Sequence, residues 1–149
     1  MAAYFLDTST VVKRYAQEIG TPWVQSITTP TAGHLLAVVR ITQAETVAAI
    51  TRKERGSFIT PQAAVAALHD FDVDFANQYT IVEVSPGLVA HAATLARKHA
   101  LRGYDAVQLA AALEVHTQIM FLTLLSADTD LNAAAVAEGL FVDDPNNHP

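Results

Sequence analysis

Five short apolar runs, alternating with helical patterns, restrict this chain more than any other feature. The runs are Tyr4–Leu6, Leu35–Val39, Tyr79–Val84, Ile119–Leu125 and Leu140–Val142, and nearly every position in them is apolar. A strand with one wet face alternates apolar and polar residues; a run apolar throughout must be covered on both sides. Between the runs, the spacing predicts helices over Val11–Ala16, from Thr21-Pro22 onward, over Ile41–Arg55, from Thr60-Pro61 through Phe75, and over Pro86–Ala100, Gly103–Val115 and Asp128–Glu138. Thr21 is the expected cap of the second helix, with Pro22 in its first turn. Strand alternating with helix predicts an α/β fold with a parallel sheet covered on both faces. Ligands of such sheets sit at the carboxyl ends of the strands.

A chain of 149 residues suits one core. The expected domain is 1–142, followed by a polar, frayed tail over 143–149. Apolar residues make up 51% and charged residues 16%, which excludes a disordered chain. The mean hydropathy of +0.24 raises the question of a membrane. The run Ile119–Leu125 falls far short of the ~20 residues a spanning helix needs, so no membrane partner is expected. The first residues reach Asp7 without a basic segment, unlike a secretion signal, and the chain has no cysteine. Both features suit a cytoplasmic protein and exclude disulfide scaffolds and thiolate metal sites. The net charge of −6 argues against coating nucleic acid by bulk attraction. It leaves open a nuclease whose acids share one metal-filled cleft.

The acids are not scattered. Asp7 closes the first strand run, Asp128 follows the run Ile119–Leu125, Asp105 opens a helix, and Glu45 lies early in the helix after Leu35–Val39. In a parallel sheet these positions share one edge. Carboxylates crowded there repel unless protons or cations neutralise them. Oxygen ligands without Cys or adjacent His suit Mg²⁺ or Mn²⁺, which activate water and stabilise in-line phosphoryl displacement. Each acid alone has a plainer explanation: Asp7, Asp105 and Asp128 also read as helix caps or dipole partners, and Glu45 as a solvated helix residue. Asp130, two residues beyond Asp128, is a further candidate ligand. The six histidines read as surface or packing residues. Asp70, Asp72 and Asp74 lack the glycine and final glutamate of a calcium loop. Lys13, Arg14, Arg40 and Arg102, with the run Arg52–Arg55, read as solvated faces or as the rim of a phosphate-binding cleft. No glycine-rich phosphate loop is present.

Four segments, in order, carry a resemblance: Tyr-Phe-Leu-Asp-Thr-Ser at 4–9, Gln-Ala-Glu-Thr at 43–46, Leu-Arg-Gly-Tyr-Asp-Ala-Val-Gln-Leu-Ala-Ala-Ala at 101–112, and Ser-Ala-Asp-Thr-Asp-Leu from 126 onward. Over about residues 3–142 the chain resembles the PIN-domain family, and within it the VapC-type ribonuclease toxins. The resemblance implies an α/β/α sandwich around a central parallel sheet and a Mg²⁺- or Mn²⁺-dependent endoribonuclease. It assigns the acidic site to Asp7, Glu45, Asp105 and Asp128, with Thr8, Ser9 and Ser126 as supporting hydroxyls. It also implies a homodimer and a cognate antitoxin that enters the acidic groove. The stretch His116–Leu125 is longer than the pattern. Two other readings stand beside this one: a PIN-like module that binds RNA or protein without cutting, and a haloacid-dehalogenase-like phosphatase with Asp7 as nucleophile. The phosphatase chemistry expects a second acid where Ser9 stands.

Overall fold

The strands lie in the order β3-β2-β1-β4-β5, all parallel, in a computed structural model that describes residues 1–149. They are β1 (Ala3–Leu6), β2 (Leu35–Val39), β3 (Thr80–Val82), β4 (Thr123–Leu125) and β5 (Phe141–Asp143). The helices are α1 (Thr8–Tyr15), α2 (Thr21–Thr28), α3 (Thr42–Arg55), α4 (Pro61–Asn77), α5 (Pro86–His99), α6 (Gly103–Gln118) and α7 (Thr129–Ala137).

The apolar runs explain the layers. Alternate strand residues point to opposite faces. Ala3 and Phe5 of β1, Ala37 and Val39 of β2 and Leu124 of β4 pack with Leu88, Leu95, Leu109 and Leu131 from α5, α6 and α7. Leu6, Leu36, Val38 and Leu125 pack on the other face with Val11, Phe71 and Phe75 from α1 and α4. Ile50, Ala64 and Ala67 join α3 to α4. Each fully buried large apolar side chain contributes about 1.5–3 kcal/mol, so both layers are needed to hold strands this short.

Four expectations are corrected. Helix α1 begins at Thr8, not Val11, because Asp7 caps it directly: the carboxylate accepts from the Ser9 amide. Helix α2 is capped by Gly20 rather than Thr21. Gly20 sits at φ +86°, and a Cβ there would lie 2.3 Å from the Pro145 carbonyl oxygen. The run Ile119–Leu125 is a strand only over Thr123–Leu125, since β1 and β5 offer partners only to those residues. Helix α6 takes up the extra length through Gln118. Last, residues 143–149 are not frayed. Asp143 pairs within the sheet, Pro145–Asn147 form a 3-10 turn, and the His148 ring stacks on Trp23 with centroids 3.9 Å apart. His148 Nε2 also lies 3.0 Å from the Asp143 carboxylate. The polar composition of these residues hid the aromatic clasp.

Candidate active site

The strand order reverses between β1 and β4, and a parallel sheet opens a crevice at such a point. A cleft of about 650 Å³ occupies it, lined by Asp7, Glu45, Asp105 and Asp128. Each acid arrives by a different element. Asp7 follows β1 and caps α1, Glu45 lies in the first turn of α3, Asp105 in the first turn of α6, and Asp128 caps α7 by accepting from the Leu131 amide at 2.9 Å. Asp105 is no cap; Arg102 holds that position.

Hydroxyls fix Asp7 and knit the two loops together. Asp7 Oδ2 accepts from Ser9 Oγ at 2.7 Å and from Ser126 Oγ at 3.2 Å. The Ser9 and Ser126 oxygens in turn accept from the amides of Ala127 and Asp128, each at 3.0 Å. Asp7 is only 5% exposed. Burial pushes its carboxyl up to about 6; the Ser9 hydrogen bonds oppose this and the Glu45 and Asp105 charges add to it. Asp105 is raised by burial and by the Asp128 carboxylate, against the Arg102 guanidinium. That guanidinium is 82% exposed in its side chain and spans two acids: Nε donates to Asp105 Oδ2 at 3.1 Å and Nη2 to Asp128 Oδ2 at 3.4 Å.

Glu45 is held by groups from two other helices, α1 and α6. Its Oε1 accepts from Thr8 Oγ1 at 3.0 Å and from Gln108 Nε2 at 2.9 Å. Gln108, 1% exposed, also reaches Thr8 Oγ1 and Thr42 Oγ1, both at 3.1 Å. Gln108 lies inside the motif at 101–112, where the sequence alone assigns it no role. The available signal was a polar residue amid Ala106, Val107, Leu109 and Ala110.

The cations divide. Lys13, Arg52, Lys53 and Arg102 line the cleft. Lys13 Nζ is buried, donating to the Ile19 carbonyl at 2.9 Å beside Glu18, and Glu18 also pairs with Lys53 at 3.1 Å. Arg14, an expected phosphate contact, instead turns away from the cleft. It donates to Tyr79 Oη and Gln78 Oε1 and pairs with Asp74 at 3.2 Å. Arg40, another expected contact, is paired with Glu83 and lies over the Phe75 ring. Both point to aromatic neighbours because the layer around Phe71, Phe75 and Tyr79 offers π-faces and acceptors close by. Asp130 is exposed and lies outside the cleft lining.

The donor set suits a hard divalent cation: carboxylates and hydroxyls, no sulfur or imidazole. Asp7 Oδ1, Glu45 Oε2 and Asp105 Oδ1 stay outside the hydrogen bonds just described and are free to ligate. As the side chains stand, no three acids are close enough to share an ion. Between Asp105 and Asp128 the positive charge is supplied by Arg102.

These features define an α/β protein with an acid-lined crevice at the switch point of a parallel sheet. The chain belongs to the PIN domain family, whose model matches residues 4–137. It is 33% identical over 115 residues to ribonuclease VapC45 of Mycobacterium tuberculosis, across 77% of this chain and 78% of that protein. Among solved structures, PAE2754 from Pyrobaculum aerophilum superposes with a TM-score of 0.67 at 18% identity, over 99% of this chain and 86% of that one. A toxin–antitoxin complex from Klebsiella pneumoniae gives a TM-score of 0.62 at 16% identity, over 97% and 98%.

Proposed function

We propose that this chain is an endoribonuclease dependent on Mg²⁺ or Mn²⁺, acting in the cytoplasm as the toxin of a toxin–antitoxin pair. The observation that carries the reading is the meeting of Asp7, Glu45, Asp105 and Asp128 in one cleft walled by Lys13, Arg52, Lys53 and Arg102. Kinship with a protein named a ribonuclease supports it, as does the shared fold with a toxin–antitoxin complex.

Asp7, Asp105 and Asp128 would hold the metal, which supplies Lewis acidity and a water of lowered pKa. Ser9 and Ser126 keep Asp7 oriented. Thr8 and Gln108 pin Glu45 Oε1 and leave Oε2 without a hydrogen bond, so that it would take the proton of an attacking water. Arg52 and Lys53 hold flanking phosphates. Arg102, which lines the cleft between Asp105 and Asp128, would hold a phosphate of the bound RNA. A cognate antitoxin blocks the same groove, and the active form is a homodimer.

Chelator is expected to abolish cleavage of single-stranded RNA, and added Mg²⁺ or Mn²⁺ to restore it. Asp128→Asn, which keeps the helix cap, should lose most activity; Asp130→Asn should keep most. Undiminished cleavage in chelator overturns the metal. Hydrolysis of a phosphomonoester without RNA cleavage points to the phosphatase reading.

A further inference from the structure

Phe58 stands in the turn between α3 and α4, lines the acidic cleft, and is 81% exposed. A single exposed apolar side chain is ordinary. The backbone beneath this one is not. Helix α3 ends with the Ser57 amide bonded to the Glu54 carbonyl at 3.0 Å and the Phe58 amide to the Lys53 carbonyl at 2.9 Å. That ending needs a left-handed residue, a place where glycine is favoured. Here Ser57 takes it, at φ +60°, while Gly56 beside it has an ordinary φ of −81°. Gly56 serves another purpose: a Cβ there would lie 2.9 Å from two carbons of the Phe58 ring. The glycine is a seat for the ring. An apolar residue at this position commonly folds back onto the last turn of its helix. Phe58 instead leaves most of its surface in water, while the next residue, Ile59, packs inward against the cluster of Ile50, Ala64 and Ala67. With Gly56 against the ring and Ile59 packed inward, the Phe58 ring stands at the cleft wall.

The surroundings say what it meets. Arg52, one helical turn before Gly56, is exposed, lines the same cleft and has no ion-pair partner. Beyond it lie the carboxylates. A ligand that fits this wall offers a flat π-face and, a short distance away, anionic groups: a nucleotide of an unpaired strand. Resting on the ribonuclease reading, we propose that Phe58 is a stacking platform for one nucleobase next to the cleavage position, with Arg52 on the adjoining phosphate. Stacking tolerates any base, so the platform contributes grip on single strands rather than sequence choice.

The test compares wild-type protein with Phe58→Ala and Phe58→Trp on two readouts. In Mg²⁺, on an RNA that the wild type cuts, Phe58→Ala is expected to raise KM about tenfold with kcat retained, and Phe58→Trp to restore it. In chelator, a single-stranded RNA carrying 2-aminopurine should be quenched by wild type and Phe58→Trp but not by Phe58→Ala. If Phe58→Ala cuts RNA with unchanged KM, the platform is overturned while the ribonuclease reading stands. If the wild type cuts no RNA but still quenches the probe, the ribonuclease reading fails and stacking survives; if it does neither, both fail. Should Phe58→Ala leave KM unchanged and instead weaken binding of a partner protein, the ring belongs to a protein interface and the proposal is overturned.

Discussion

Gln108 Nε2 carries two hydrogens and faces three acceptors, so one is shared. Turning the amide over would set its oxygen 2.9 Å from a Glu45 oxygen, carboxylate against carbonyl. The native orientation therefore leaves Gln108 Oε1 buried without a partner, a cost accepted in order to hold Glu45. Gln108→Leu, close in volume, is expected to lower cleavage about 10- to 100-fold through misplacement of Glu45, as loss of such supporting groups does. Retained activity beside an unchanged thermal melt would show the amide to be filler. Asp7 makes a pH prediction. Its carboxyl titrates at about 6 in the fold and near 3.8 when free. Between those values the folded state binds more protons, so stability falls as pH rises from 4 to 6 and the loss is complete above. Asp7→Asn keeps an oxygen for Ser9 and Ser126 and is expected to stabilise the metal-free protein by about 3 kcal/mol at pH 7.5, flattening the slope between pH 4 and 6. Denaturant melts across that range check it. Single letters revealed the acids because a carboxylate at a strand end stands out; Gln108 stayed hidden because its role exists only once α6 passes beside Thr8 and Glu45.

Helix α3 and its turn show where local sequence rules reach their end. Gly56 reads as a helix terminator, and the helix does stop there, yet the left-handed residue is Ser57. Exchange of the two roles leads to opposite outcomes. Ser57→Gly should stabilise by about 1 kcal/mol by relieving the left-handed strain. Gly56→Ala should destabilise or displace the ring, with a changed Phe58 environment by NMR. The strands were legible as apolar runs, but their lengths were not. Ile119 to Leu122 are apolar and still lie outside the sheet, since β1 and β5 each pair with only Thr123–Leu125. Nor was the clasp of Trp23 and His148 legible, because it joins residues more than a hundred positions apart.

Across the molecule, the acidic balance and the phosphate-binding reading are reconciled by position. Four of the nine basic residues, Lys13, Arg52, Lys53 and Arg102, face one cleft. Elsewhere, Val89, Ala93, Ala96 and Tyr104 line an apolar groove between α5 and α6, with Tyr104 67% exposed. A second copy of the chain is the expected occupant of this groove. Light scattering at micromolar concentration should give the mass of a dimer, and Val89→Asp should shift it to monomer while the far-UV signal is kept. A wild-type monomer would remove the dimer from the account.

The guanidinium of Arg102 between Asp105 and Asp128 has one more consequence. A chain that carries its own counter-ion completes its fold without waiting for a metal. Under the proposed metal dependence, arming would be an exchange of one cation, the Arg102 guanidinium, for another. Because the resident cation is tethered, its local concentration never changes. On that proposal, the fraction of armed molecules would follow the free divalent ion outside, in a graded way.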